Sequence, residues 1–193
     1  MDSIVENLMK QVGTGDNLSA ISKSVGGDEK GVQSALSMGL PMIVGSMANS
    51  ASKPGGADMI TKMMGQMGGS NPVDNLSGFL GGSGGAAGGS GMASMLLGSQ
   101  MGTIQNAISQ KTGLPPAVVG KVLEIATPMV MGYIGKMTGG KQMDQKGLTS
   151  LLGEQSNMAM QSSPDAANMA KQLLGGEESS SGVSGIFKKF LGK

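Results

Sequence analysis

Apolar residues recur along this chain at spacings of three and four, the separation that places side chains on one face of an α-helix. Val5, Leu8, Met9 and Val12 form the first such stripe. Ser3 and Glu6 precede it with the spacing of a reciprocal capping box, and Gly13-Thr14-Gly15 closes it. Leu18, Ile21 and Val25 predict a short second helix with Asn17 as its cap. Gly26-Gly27 then reads as a tight turn and Asp28 as the cap of a third helix. This third helix, about 29–48, is the main apolar element of the first half, with Val32, Ala35, Leu36, Leu40, Ile43, Val44 and Met47 on its buried side. Pro41 sits inside it, lacks an N–H for the carbonyl of Ser37 and crowds that carbonyl, so a kink or break is expected. A short helix over about 57–67, carrying Met59, Ile60, Met63, Met64 and Met67, completes the unit.

Residues 68–91 interrupt the pattern. Eight Gly fall within 78–91, centred on Gly81-Gly82-Ser83-Gly84-Gly85. Ordering Gly costs more backbone entropy than ordering any other residue, and this tract has few side chains to bury in return, so a flexible tether is expected. The helical pattern then returns. Ile21-Ser22 through Met47 aligns without a gap with Ile108-Ser109 through Ile134 at a constant offset of 87. Gly26 meets Gly113, Val32 meets Val119, Leu36 meets Leu123, Pro41-Met42 meets Pro128-Met129, and Gly45 meets Gly132. After a one-residue slip, Ile60-Thr61 meets Leu148-Thr149 and Met64-Gly65 meets Leu152-Gly153. Two helix disruptors in the same place in two apolar segments point to an internal duplication.

The expected fold is all-α: two related small helical units with long Pro-kinked helices, joined by a Gly-rich linker. The divisions are unit 1 over 1–67, the linker over 68–91, unit 2 over 92–153, an additional helix over 154–176, and a polar spacer with an amphipathic tail over 177–193. Each unit alone has a small core, which is marginal in water. Packing of one long helix on the other would enlarge it, within a chain or between chains. Leu40, Pro41, Val44 and Gly45 with Thr127, Pro128, Met131 and Gly132 are the candidate packing residues. A small residue four past each Pro would let another helix approach closely.

The matched segments resemble a bacterial family of unknown function that includes the YidB-like proteins. The resemblance rests on Ile21-x-x-x-Val25-Gly26, Val32-x-x-Ala35-Leu36 and Leu40-Pro41-x-Ile43-Val44, and on their recurrence from Ile108 to Val130. It implies a homeodomain-like helical fold and brings no catalytic or binding residues, since no activity is established for the family.

Composition narrows the chemistry. The chain has no Cys, no His and no Trp, and all fourteen basic residues are Lys. Thiolate chemistry, imidazole acid–base catalysis and the bidentate Arg fork are therefore absent. No phosphate loop, zinc-protease signature, nucleophile elbow or carboxylate cluster is present, so neither catalysis, a cofactor, a metal nor a small-molecule substrate is expected. Nineteen Met suit irregular cores or adaptable surfaces. Residues 1–98 carry 5 Lys and 7 acids and residues 99–193 carry 9 Lys and 6 acids. With no basic face on the helix after either Gly turn, helix-turn-helix binding of nucleic acid is disfavoured.

The acidic start and the diluted apolar content of the uncharged stretch from Gly31 to Ser52 point to the cytoplasm. One segment stands apart. Val183, Ile186, Phe187, Phe190 and Leu191 share a helical face, with Lys188, Lys189 and Lys193 around it. Such a tail can dock on the protein's own body, in a partner's groove or weakly on an anionic membrane surface. The expected role is a structural or protein-interaction module that self-associates, with a membrane-surface adaptor as the alternative.

Overall fold

The structure, a computed structural model, describes residues 3–66, 71–82, 86–98, 100–138 and 144–168. Among these residues the regular elements are all helical and no strand occurs. The order is α1 (Ile4–Val12), α2 (Gly15–Val25), α3 (Glu29–Ala51) and α4 (Gly56–Gln66), then a 3-10 turn (Pro72–Asn75) and α5 (Leu76–Gly81). Four more follow: α6 (Ala86–Leu97), α7 (Gln100–Thr112), α8 (Pro116–Met137) and α9 (Gln145–Ser162). A last helical turn spans 164–168.

Local chemistry sets the ends of these helices. Ser3 Oγ accepts from the Glu6 N–H at 3.1 Å while Glu6 Oε2 accepts from the Ser3 N–H at 3.0 Å, so the capping box forms as expected. Asn17 does not cap α2. That helix begins earlier, after Thr14, and the Asn17 amide instead donates to the Gln11 carbonyl at 2.8 Å, tying α2 back to α1. Gly26 and Gly113, the paired glycines, both stand at φ 75°, a left-handed conformation that side chains oppose. Asp28 opens α3 by accepting from the Gly31 N–H at 2.8 Å. Pro116 opens α8 instead; it has no N–H to leave orphaned.

Both long Pro-kinked helices run past their proline rather than ending there. Each Pro frees the carbonyl four residues before it, and another part of the chain meets each one. Ser163 Oγ donates to the Ser37 carbonyl at 3.4 Å. The backbone of Gly89, on α6, lies so close to the Glu124 carbonyl that a Cβ there would collide with it.

This last contact corrects the expectation of a flexible tether. Among the described residues of 68–91, a 3-10 turn, α5 and the start of α6 form. The entropy cost of ordering Gly is real, but a residue without a side chain is what lets α6 touch α8. The division into two units also needs correction. The boundary at 91/92 falls inside α6 and that at 153/154 falls inside α9. Residues of all nine α-helices join one hydrophobic cluster, from Ile4 and Leu8 through Leu36 and Ile43 to Leu123, Met129 and Leu152. Residues 169–176 and the tail lie outside the described residues.

Candidate functional site

At the centre of the core α3 packs against α8, and the contacts between them are reciprocal. A Cβ on Gly27 would lie 3.1 Å from Val118 Cγ1, and one on Gly31 would lie 2.8 Å from Leu114 Cδ2. These are the same contact seen from either side, because Gly27 corresponds to Leu114 and Gly31 to Val118 at the offset of 87. Farther along α3, a Cβ on Gly39 would lie 2.8 Å from Leu123 Cδ2. Gly31 and Gly39 are eight residues apart on α3 and so lie near one face, while Gly27 lies in the turn just before it. Their missing side chains set how closely α3 approaches its partner.

The covering of the long helices is reciprocal too. Besides its own neighbours, α3 touches α6, α7 and α9, while α8 touches α1, α2 and α4. Besides α8, α3 therefore takes most of its cover from the other half, whereas α8 packs most closely on α6 and α7 beside it in sequence, with α1, α2 and α4 adding to them.

The eight packing positions picked from the sequence divide accordingly. Leu40, Pro41, Val44, Thr127, Pro128, Met131 and Gly132 are buried, and Gly45 is half-buried. The helix that nears Gly45 is α9, through Met160 Cε at 3.3 Å from an added Cβ and Ser156 Oγ at 3.5 Å. The close approaches between these segments are at Gly27, Gly31 and Gly39, none of which is among the eight. The eight-residue spacing of Gly31 and Gly39 within an apolar helix was the available signal.

Several polar groups inside the core have partners, whereas the buried Ser22 hydroxyl has none. Thr127 Oγ1 donates to the Leu123 carbonyl at 2.7 Å. Gln155 Oε1, on α9, accepts from the Ile4 N–H at 2.8 Å and so holds the start of α1 across the fold. The Gln33 amide donates to the Gly13 carbonyl at 2.8 Å, fixing the end of α1 on α3. Glu124 is half-buried, and desolvation raises its carboxyl above the ordinary carboxylate value against a smaller opposing pull from Lys121.

The surface is chemically quiet. Among the described residues no group of three or more acidic side chains could hold a metal. Exposed ion pairs join Lys111 to Asp165 at 3.4 Å and Lys136 to Asp74 at 3.2 Å; such pairs add little stability. Residues 75–110 include no charged residue. Within that run Phe79, Leu80, Met92 and Met101 are partly buried, while Met95 is 64% exposed. α8 is long and apolar enough to cross a membrane, but 72% of its apolar window is buried, as befits a core helix. The tail residues Val183, Ile186, Phe187, Lys188, Lys189, Phe190 and Leu191 lie outside the described residues.

The profile of a family described as "Bacterial protein of unknown function (DUF937)" matches residues 6–137, from within α1 to the end of α8. No curated protein and no solved structure matches the chain.

Proposed function

Since the chain belongs to the DUF937 family of bacterial proteins of unknown function, we propose from its own residues that it is a non-catalytic protein-interaction module that self-associates. Within the family we read it as a YidB-like member with its unit duplicated. The paired Gly turns, the paired in-helix prolines and the reciprocal seam support that reading. The absence of His, Cys and Arg from the chain supports a non-catalytic role.

The observation that carries the interaction reading is the exposed Met95 on α6, within a run of residues, 75–110, that has no charge. A large apolar side chain held in water is stabilised by being covered. A face without charge does not repel a second copy of itself, and Met adapts readily to a new neighbour. The solution mass should rise above the 19.3 kDa of one chain as concentration increases. Met95→Lys should return it to that of a single chain. A wild-type mass of one chain at every concentration would remove self-association.

A second reading, favoured by the helical spacing of the tail, is attachment to a membrane surface from the cytoplasm. Val183, Ile186, Phe187, Phe190 and Leu191 would insert partially while Lys188, Lys189 and Lys193 meet anionic headgroups. Full-length protein should then co-sediment with anionic vesicles at low salt and a chain lacking 183–193 should not. Equal sedimentation of the two excludes it.

A further inference from the structure

We propose that Met95 is a site of reversible oxidation whose sulfoxide releases the self-association proposed above, the reading on which this inference rests. Among the described residues the exposed large apolar side chains are Met95, 64% exposed on α6, and Met137, 50% exposed at the end of α8. Every other described methionine is buried or partly buried, and Met42, Met47, Met129 and Met131 are buried almost completely. A peroxide in solution therefore meets the sulfurs of Met95 and Met137 ahead of those in the core. The chain has no Cys, so no thiolate of its own competes for that oxidant.

The reaction is a single transfer of oxygen. The O–O bond of hydrogen peroxide breaks as an S–O bond forms at the thioether; the sulfur gives up two electrons and water leaves. A methionine sulfoxide reductase driven by a dithiol reverses the step, returning thioether and water as the dithiol closes to a disulfide. The sulfoxide puts a strongly polar group where an apolar side chain stood. Met95 lies within residues 75–110, which carry no charge, so the matching run of a second copy offers the new oxygen no ammonium. Covering it then strips its water without replacement, which opposes assembly. Met137 differs, because it follows Lys136, whose ammonium lies 3.2 Å from the Asp74 carboxylate. Its surroundings are already polar, and oxidation there should leave assembly unchanged. At Met95 the coupling runs both ways: assembly shields the sulfur from oxidant, and the oxidised sulfur disfavours assembly.

The test treats the full chain with hydrogen peroxide and follows both the sulfoxide at each methionine, by peptide mass, and the solution mass of the protein. In dilute protein, sulfoxide should appear at Met95 and Met137 well before Met47 and Met129. Concentrating the protein should slow oxidation of Met95 and leave that of Met137 unchanged. The oxidised protein should keep the 19.3 kDa of one chain at concentrations where untreated protein assembles. Its dissociation constant should rise about tenfold or more. Reductase with a dithiol should restore assembly. Met95→Leu keeps an apolar side chain without sulfur, so it should assemble before and after peroxide. Wild-type protein that assembles equally well with Met95 fully oxidised would overturn the switch while leaving self-association intact. Peroxide that disperses the Met95→Leu protein as readily would overturn it too, and so would Met95 oxidising no faster than Met47. A single-chain mass for untreated protein at every concentration would instead remove self-association, and the switch with it, however readily Met95 oxidises.

Discussion

The helices α3 and α8 reach the same place in the fold by different chemistry. Both follow a Gly at φ 75°, both carry an in-helix Pro, and both bury the same face, with Val32 and Leu36 answering Val119 and Leu123. Yet α3 is opened by the Asp28 carboxylate and α8 by Pro116. The carbonyl freed by Pro41 takes a hydroxyl from Ser163, whereas the one freed by Pro128 is met by the backbone of Gly89. Leu40 corresponds to Thr127, whose hydroxyl is satisfied within its own helix. The backbone course and the apolar face are therefore the shared requirement, and the caps and carbonyl partners are interchangeable means of meeting it.

The likeness predicts that the two helices are equally vulnerable at their centres. Val44 and its counterpart Met131 are both fully buried, so Val44→Asp and Met131→Asp each place an unpaired charge in one shared core. Each should cost about 4 kcal/mol or more, and denaturant titration should show the loss of helix from both halves at once. Loss confined to the mutated half would break the comparison.

The difference between the two carbonyl partners is sharpened by a pair of glycines on α6. Gly89→Ala forces a methyl group against the Glu124 carbonyl and should destabilise by about 1–3 kcal/mol. Gly91, two residues on, is exposed with open space around it. Gly91→Ala should therefore stabilise the helix by about 0.5–1 kcal/mol. In a flexible tether both substitutions would leave the melting temperature unchanged.

The two helix starts should also separate. Asp28→Ala removes the acceptor for the Gly31 N–H and should cost about 1 kcal/mol. Pro116→Ala removes no hydrogen bond and acts mainly by loosening the unfolded chain, an effect of about 0.5 kcal/mol. Thermal melts of the two variants would rank them.

The smallest expected effect concerns Glu124, which has a Ser in the corresponding place on α3, Ser37. Burial raises its carboxyl in the folded state, so folding favours the protonated form. Stability from this group is fully present below the ordinary carboxylate value and is lost as pH rises through the raised one. Glu124→Gln should thus gain slightly over the parent at neutral pH, and the gain should vanish at pH about 3.5. Partial exposure and the lost attraction to Lys121 hold it below about 1 kcal/mol. An equal gain at both pH values would assign it to something other than ionisation.

Much of this fold is legible in the sequence because its signals are local. The Ser3–Glu6 capping box, the Asp28 cap, the Gly26 and Gly113 turns and the apolar stripes of both long helices all act within a few residues. What escaped is non-local. The Gly-rich stretch reads as a tether because the surface that α6 packs against, the backbone of α8 at Glu124, lies thirty-five residues beyond Gly89. Nothing near Gly31 and Gly39 in the sequence announces the Leu114 and Leu123 side chains that pack against them. For the candidate site, burial of the central packing residues was readable from their periodicity. That Gly45 faces α9 depends on how three helices are arranged in space, which no spacing within one helix encodes.

The pairing of the two halves in one core is tested most directly by native-state hydrogen exchange followed residue by residue across α3 and α8. Amides around Leu36, Ile43, Leu123 and Val130, all fully buried, should exchange only through global unfolding, with one opening free energy and one denaturant dependence. Two distinct opening free energies, with one long helix exchanging while the other stays protected, would mean that the halves fold as separate units and would contradict the shared core.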